Sequence, residues 1–112
     1  MADDCLFCKI VAREIPADLV FENDVAIAIR DINPQAPDHV LVITREHIVD
    51  LRELGTRPDI AGPYVSTIGE VADQLGADAF RTVFNTGAAV GQSVFHLHAH
   101  VLAGRPFTWP PG

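Results

Sequence analysis

The sequence predicts an α+β domain: an antiparallel five-stranded sheet with one main helix and a short N-terminal helix. Three observations carry this. Five short stretches of β-branched or alternating apolar residues are bounded by turn residues. One segment, residues 64–75, repeats its apolar residues at helical spacing. The strand pairs look joined by short or non-crossover links, which suits antiparallel pairing. With 112 residues the chain has the size of one domain, 1–112.

In chain order, Asp3 or Asp4 is placed to cap a short helix over roughly residues 5–13, ended before Pro16. Residues 19–21 and 25–29 read as strands around the turn Glu22-Asn23-Asp24. A polar elbow with two prolines, Asp31-Ile32-Asn33-Pro34-Gln35-Ala36-Pro37, precedes a β-branched strand over 39–44. Residues 45–54 are mixed and expected to include a short helix. In the main helix Tyr64, Val65, Ile68, Val71, Ala72 and Leu75 share a face, Pro63 fits the first turn and Gly76 the stop. Residues 80–85 form a strand that Asn85 ends, residues 86–93 a loop with two glycines, and residues 94–103 the last strand.

Composition bounds the function. Apolar residues are 48% and charged residues 21%, as in a globular chain and unlike a disordered one. The net charge of −7 argues against duplex nucleic acid or an anionic membrane as partner, since both call for a basic face. A small phosphorylated ligand stays open, because it needs only local donors. No apolar run has the roughly 18 residues of a membrane span, and the acidic start is unlike a signal peptide, so a cytoplasmic location is expected.

The most informative stretch is Phe95-His96-Leu97-His98-Ala99-His100-Val101-Leu102. Strand alternation puts His96, His98 and His100 on one face and Leu97, Ala99 and Val101 on the other. Three imidazoles in a row are poor core material, since every ring nitrogen needs a partner. They fit a solvated face, a metal site, or covalent catalysis by a histidine beside phosphate donors. The loop before them favours the last. Gly91-Gln92-Ser93 offers backbone N–H groups, an amide and a hydroxyl, and Asn85 adds a neutral donor.

His96-x-His98-x-His100 followed by two apolar residues resembles the signature of the histidine triad (HIT) superfamily. Gly91-Gln92-Ser93-Val94-Phe95, the segment from Asp31 to His39, and Trp109-Pro110-Pro111-Gly112 resemble its nucleotide-binding (Hint) branch, over residues 7–112. The resemblance implies that His98 is the nucleophile that attacks an α-phosphorus and forms a nucleotidyl-histidine. It implies that His100 is a phosphate ligand and that Ser93 lies beside the scissile bond. Gly91, Gln92, Ser93 and Asn85 match phosphate or leaving-group contacts, and Asp31 the carboxylate that accepts the ribose hydroxyls. Leu6, Phe7, Ile10, Ile29 and Ile32 match the nucleobase slot, where Ile29 replaces a frequent aromatic. His39 matches a buried histidine that supports the nucleophile.

Cys5 and Cys8 are spaced to chelate one ion, and a structural Zn²⁺ needs two more ligands. His47 and His96 have no direct catalytic role in the resemblance, so Cys5, Cys8, His47 and His96 form the expected zinc set, as in bacterial-type HIT proteins. A reversible disulfide and two free thiols are the competing readings. The resemblance implies a hydrolase of nucleoside 5'-monophosphate derivatives, a purine nucleoside phosphoramidase that binds an AMP- or GMP-like nucleotide. It also implies a homodimer whose Trp109 tail approaches the partner's site. A dinucleoside polyphosphate hydrolase and a nucleotide-binding regulator with little turnover are the alternatives.

Overall fold

The β-branched run after the polar elbow is buried on both faces, and this places it at the centre of the sheet. In the computed structural model, which describes residues 4–112, Asp38–Thr44 (β3) pairs with Ala26–Arg30 (β2) on one side and His98–Ala103 (β5) on the other. Leu19–Glu22 (β1) flanks β2 and Phe80–Val83 (β4) flanks β5, so the order is β1-β2-β3-β5-β4. Every pairing is antiparallel. One link departs from the expected non-crossover pattern. After β3 the chain runs through Leu51–Leu54 (α2) and Pro58–Gln74 (α3) and enters β4 at the sheet edge. The slot beside β3 is thereby left for β5, the histidine-bearing strand.

The two faces of the sheet have different jobs. On one, Ile60, Tyr64, Ile68 and Val71 of α3 pack on Val40, Val42, Ala99 and Val101. On the other, Ile27, Ile29, Leu41 and Ile43 meet Phe7, the buried residue of Leu6–Val11 (α1). Burying such a side chain contributes roughly 1.5–3 kcal/mol, so the α3 face supplies most of the stabilisation. The α1 face is thin, and α1 is anchored on it mainly by Phe7, with Ile10 and Val11 half-buried beside it.

Three local expectations need correction. The main helix starts at Pro58, and Pro63 lies inside it, not in its first turn. Pro58 takes the N-terminal position where a missing N–H costs nothing, and Ile60 and Ala61 extend the apolar face by a turn. The cap of α1 is Cys5, whose Sγ accepts from the N–H of Cys8 at 3.3 Å. Asp4 does not cap it, and Asp3 lies outside the described residues. Strand β5 begins at His98, because residues 94–97 precede the point where β3 and β4 flank the chain with regular ladders. The stop at Gly76 stands as expected, with φ of 72°.

Candidate active site and metal centre

Strand alternation sends Ala99, Val101 and Ala103 into the α3 face and turns His98 and His100 to the face of α1. His98 lies edge-on to Phe7, ring centroids 4.9 Å apart. Its Nδ1 is 2.7 Å from the backbone carbonyl of His96. A carbonyl only accepts, so Nδ1 carries the proton and Nε2 keeps its lone pair. Burial holds the His98 pKa below the ordinary histidine value, against the pull of that carbonyl and of Asp31. His98 is thus an oriented, neutral imidazole with one free nucleophilic nitrogen.

A second chain of bonds fixes His100. The Gln35 N–H donates to His39 Nδ1 at 3.0 Å. His39 Nδ1 is then an acceptor, and Nε2 must carry its proton. His39 Nε2 lies 2.9 Å from His100 Nδ1, so Nδ1 of His100 accepts and its Nε2 bears N–H. Burial, followed by the neighbouring His98 and His39, lowers the His100 pKa to about 4, and the ring is neutral near pH 7 with one donor to offer. His39 therefore supports His100 directly and His98 only indirectly. Asp31 stands beside this chain, with Oδ2 3.5 Å from His39 Nε2 and Oδ1 accepting from the Asn33 N–H at 2.8 Å. Asp31, His39 and His100 come close enough to hold a metal. The proton on His39 Nε2 argues against it, because that nitrogen has no lone pair to give.

The loop before β5 departs from the sequence reading. Gln92 is buried and its side chain is spent inside the loop: Oε1 accepts from Gly87 N–H at 2.8 Å, and Nε2 donates to the Val49 carbonyl at 2.8 Å. Its own N–H goes to the Gly87 carbonyl, and that of Gly91 to Ala88. Gln92 and Gly91 thus shape the loop and have no donors free for a phosphate. Gly91 has φ of 109° and packs beside the Asn85 amide, which lies beyond the end of β4. Ser93 is exposed, and its hydroxyl and N–H are engaged by none of the described residues.

Leu6, Phe7, Ile10, Ile29 and Ile32 all line one cleft of about 440 Å³, together with Asp31 and Ser93. Sequence reasoning missed Ile15, Pro16 and Ala17 on its wall. They sit in an irregular segment with no periodicity to mark them.

The cysteines build a separate centre. Cys5 Sγ is 3.3 Å from His96 Nδ1, and Cys8 Sγ is 3.1 Å from His47 Nδ1 and 3.4 Å from His96 Nδ1. The edge of a tetrahedral zinc site between sulfur and nitrogen is about 3.5 Å. His96 is fully buried, and its Nε2 lies 2.6 Å from the Thr44 carbonyl. That bond places the proton on Nε2 and turns the Nδ1 lone pair to the thiols, the outer-shell arrangement of a metal-binding histidine. The four side chains can hold one metal ion, and their donor set suits zinc. Burial, with Cys5 alongside, pushes the Cys8 thiol up to about 11, so a metal must displace its proton.

Two neutral histidines on an edge-bounded antiparallel sheet, beside an apolar cleft, are the arrangement of the histidine triad class. Residues 12–107 match the HIT domain, and the chain belongs to that family. It is 52% identical to an uncharacterised HIT-like protein of Synechocystis over the full length of both chains. It is 39% identical to the purine nucleoside phosphoramidase of Escherichia coli, over 95% of this chain and 92% of that one. A HIT family hydrolase structure from Legionella pneumophila superposes with a TM-score of 0.90 and 41% identity, covering 97% and 100% of the chains. A zinc-bound histidine triad protein from Mycobacterium smegmatis gives 0.78 and 34%, covering 94% and 78%.

Proposed function

We propose that the chain is a hydrolase of nucleoside 5'-monophosphate derivatives, with a purine nucleoside phosphoramidate as substrate. The observation that carries this is the hydrogen bond from His98 Nδ1 to the His96 carbonyl, which leaves the Nε2 lone pair free. The phosphoramidase activity of the Escherichia coli relative supports the choice of substrate.

The reaction follows from the site. The purine enters the cleft between Phe7, Ile10 and Ile29, and Asp31 accepts from the ribose hydroxyls. His98 Nε2 attacks the α-phosphorus of the nitrogen-protonated phosphoramidate in line, and the P–N bond breaks with its electron pair going to nitrogen, so that a neutral amine departs. The nucleotidyl-His98 ring now carries a positive charge, which the His96 carbonyl stabilises through Nδ1–H. His100 Nε2–H donates to a phosphoryl oxygen, and Ser93 offers a hydroxyl to the leaving group. A water then attacks phosphorus in line, the P–Nε2 bond breaks with its electron pair returning to His98, and the water's proton passes to solvent as the nucleoside monophosphate leaves. Splitting one displacement into two in this way lowers each barrier.

Cys5, Cys8, His47 and His96 would hold a structural Zn²⁺, which ties α1 to the residue whose carbonyl orients His98. A reducing, cytoplasmic compartment keeps both thiols available for it. The exposed edge of β4 and the 82% exposed Trp109 support a homodimer in which the tail reaches the partner's site. The test is turnover of adenosine 5'-phosphoramidate with mass spectrometry of the quenched protein. Wild type should accumulate a nucleotidyl adduct on the peptide bearing His98, and His98→Ala should lose both adduct and turnover. Equal turnover by wild type and His98→Ala would reject the reading.

A further inference from the structure

The polar elbow that carries Gln35 is held from the far end of the chain. Arg105 donates from Nε and Nη2 to the Gln35 carbonyl, at 3.1 and 2.9 Å. This is a two-pronged grip on one oxygen. A third donor, Nη1, goes to the Pro106 carbonyl at 2.9 Å. The guanidinium lies over the Phe107 ring, 4.2 Å from its centroid, and so has a platform as well as an acceptor. Among the described residues Arg105 makes no ion pair. Its neighbour reinforces the contact: Gly104 has φ of 96°, and a Cβ there would stand 2.8 Å from Pro37 Cβ. Two consecutive residues after β5 thus close on residues 35 and 37.

What they close on decides a tautomer. The N–H of Gln35 makes His39 Nδ1 an acceptor. His39 Nε2–H then makes His100 Nδ1 an acceptor in turn. The donor that His100 presents is therefore set by one backbone N–H, and Arg105 holds the residue that carries it. Without the grip the strand end touches the elbow only where Gly104 meets Pro37, and Gln35 itself keeps only local restraints, such as the bond from its Nε2 to the Asn33 carbonyl. Once Gln35 shifts, the two tautomers of His39 become closer in energy, and His100 loses a fixed donor face.

We propose that Arg105 is a positioning residue: through the Gln35 backbone it fixes the tautomer of His39, and so the N–H that His100 presents to a phosphoryl oxygen. The last part rests on the reading of His98 and His100 as the reacting site. The tautomer does not.

The test is a two-bond proton–nitrogen NMR correlation spectrum of the full chain with isotope-labelled histidine, at mildly alkaline pH, alongside kinetics with adenosine 5'-phosphoramidate. Wild type should show His39 and His100 both protonated at Nε2. Arg105→Ala should move the His39 nitrogens toward a tautomer average, and lower kcat about tenfold while KM stays within about twofold. Arg105→Lys keeps a cation for Phe107 but lacks the two-pronged grip. It should keep the melting temperature and still show the shifted ring, so it carries the test if the alanine variant unfolds. Wild-type ring signals for His39 and His100 in Arg105→Lys would overturn the proposal. If wild type turns nothing over and the ring signals still respond to Arg105, the phosphoramidase reading falls and the clamp stands. If turnover is normal and the rings ignore Arg105, the clamp alone falls.

Discussion

Phe7→Ala strikes the thin face of the protein and its site together. Phe7 is 5% exposed and is the buried residue of α1, packed on Ile27, Ile29, Leu41 and Ile43. It also walls the cleft and touches the His98 ring. Truncating a buried Phe to Ala costs 3–5 kcal/mol in a closed core, and the open cleft beside it admits water and puts the cost near the low end, about 3 kcal/mol. With a urea m-value of about 1.5 kcal/mol/M for this size, the midpoint should fall by about 2 M. Phe7→Leu, which keeps most of the volume, should cost about 1 kcal/mol. The assay is urea unfolding followed by far-ultraviolet circular dichroism, each variant with the same metal content, paired with phosphoramidate kinetics. Phe7→Ala should also lower kcat and raise KM, because ring support and base contact go together. A midpoint shift under about 0.4 M, which at that m-value is about 0.6 kcal/mol, would refute the claim that Phe7 anchors α1.

Turnover should be flat from neutral pH down to about 6.5 and fall below it, since the active forms of His98 and His100 are neutral and burial holds both below the ordinary value. An acidic limb centred above that value, in a pH–rate profile, would contradict the geometry. His100 has a folded pKa of about 4, below its unfolded value. The unfolded chain therefore takes up the proton first, and stability present above the unfolded pKa is lost as pH falls toward 4. Denaturation midpoints across that window check the sign. Stripping metal with a chelator, or Cys8→Ser, should lower the melting temperature by more than about 5 °C and leave the remaining thiols freely titratable. Gly104→Ala should cost about 1–3 kcal/mol for its positive φ alone, read by the same unfolding assay.

The fold was legible where periodicity spoke. Residues 39–44 are a β-branched run and Leu97, Ala99 and Val101 alternate with the histidines, and the strands they define match expectation within a few residues. The start of α3 was missed because two prolines compete for the N-terminal position, and only packing of Ile60 decides for Pro58. In the site, the spacing of His98 and His100, the cleft residues Leu6, Phe7, Ile10, Ile29 and Ile32 and the Cys5, Cys8, His47, His96 cluster could be picked from the sequence, whereas Ile15, Pro16 and Ala17 could not. The role of Gln92 could not, because a donor-rich side chain in a Gly loop reads the same whether it faces a ligand or ties the loop to Val49. Nor could the bond between His39 and His100, which depends on register between two strands far apart in sequence. The clamp by Arg105 on Gln35 spans 70 positions and leaves no local signal.

The most direct test is the stereochemical course at phosphorus. An adenosine phosphoramidate made chiral at phosphorus with sulfur and labelled oxygen is hydrolysed, and the product configuration is read. Two in-line displacements through His98 each invert the centre, so the account predicts net retention. Net inversion would mean that water attacks the substrate directly, and Nε2 of His98 would have no covalent part in the reaction.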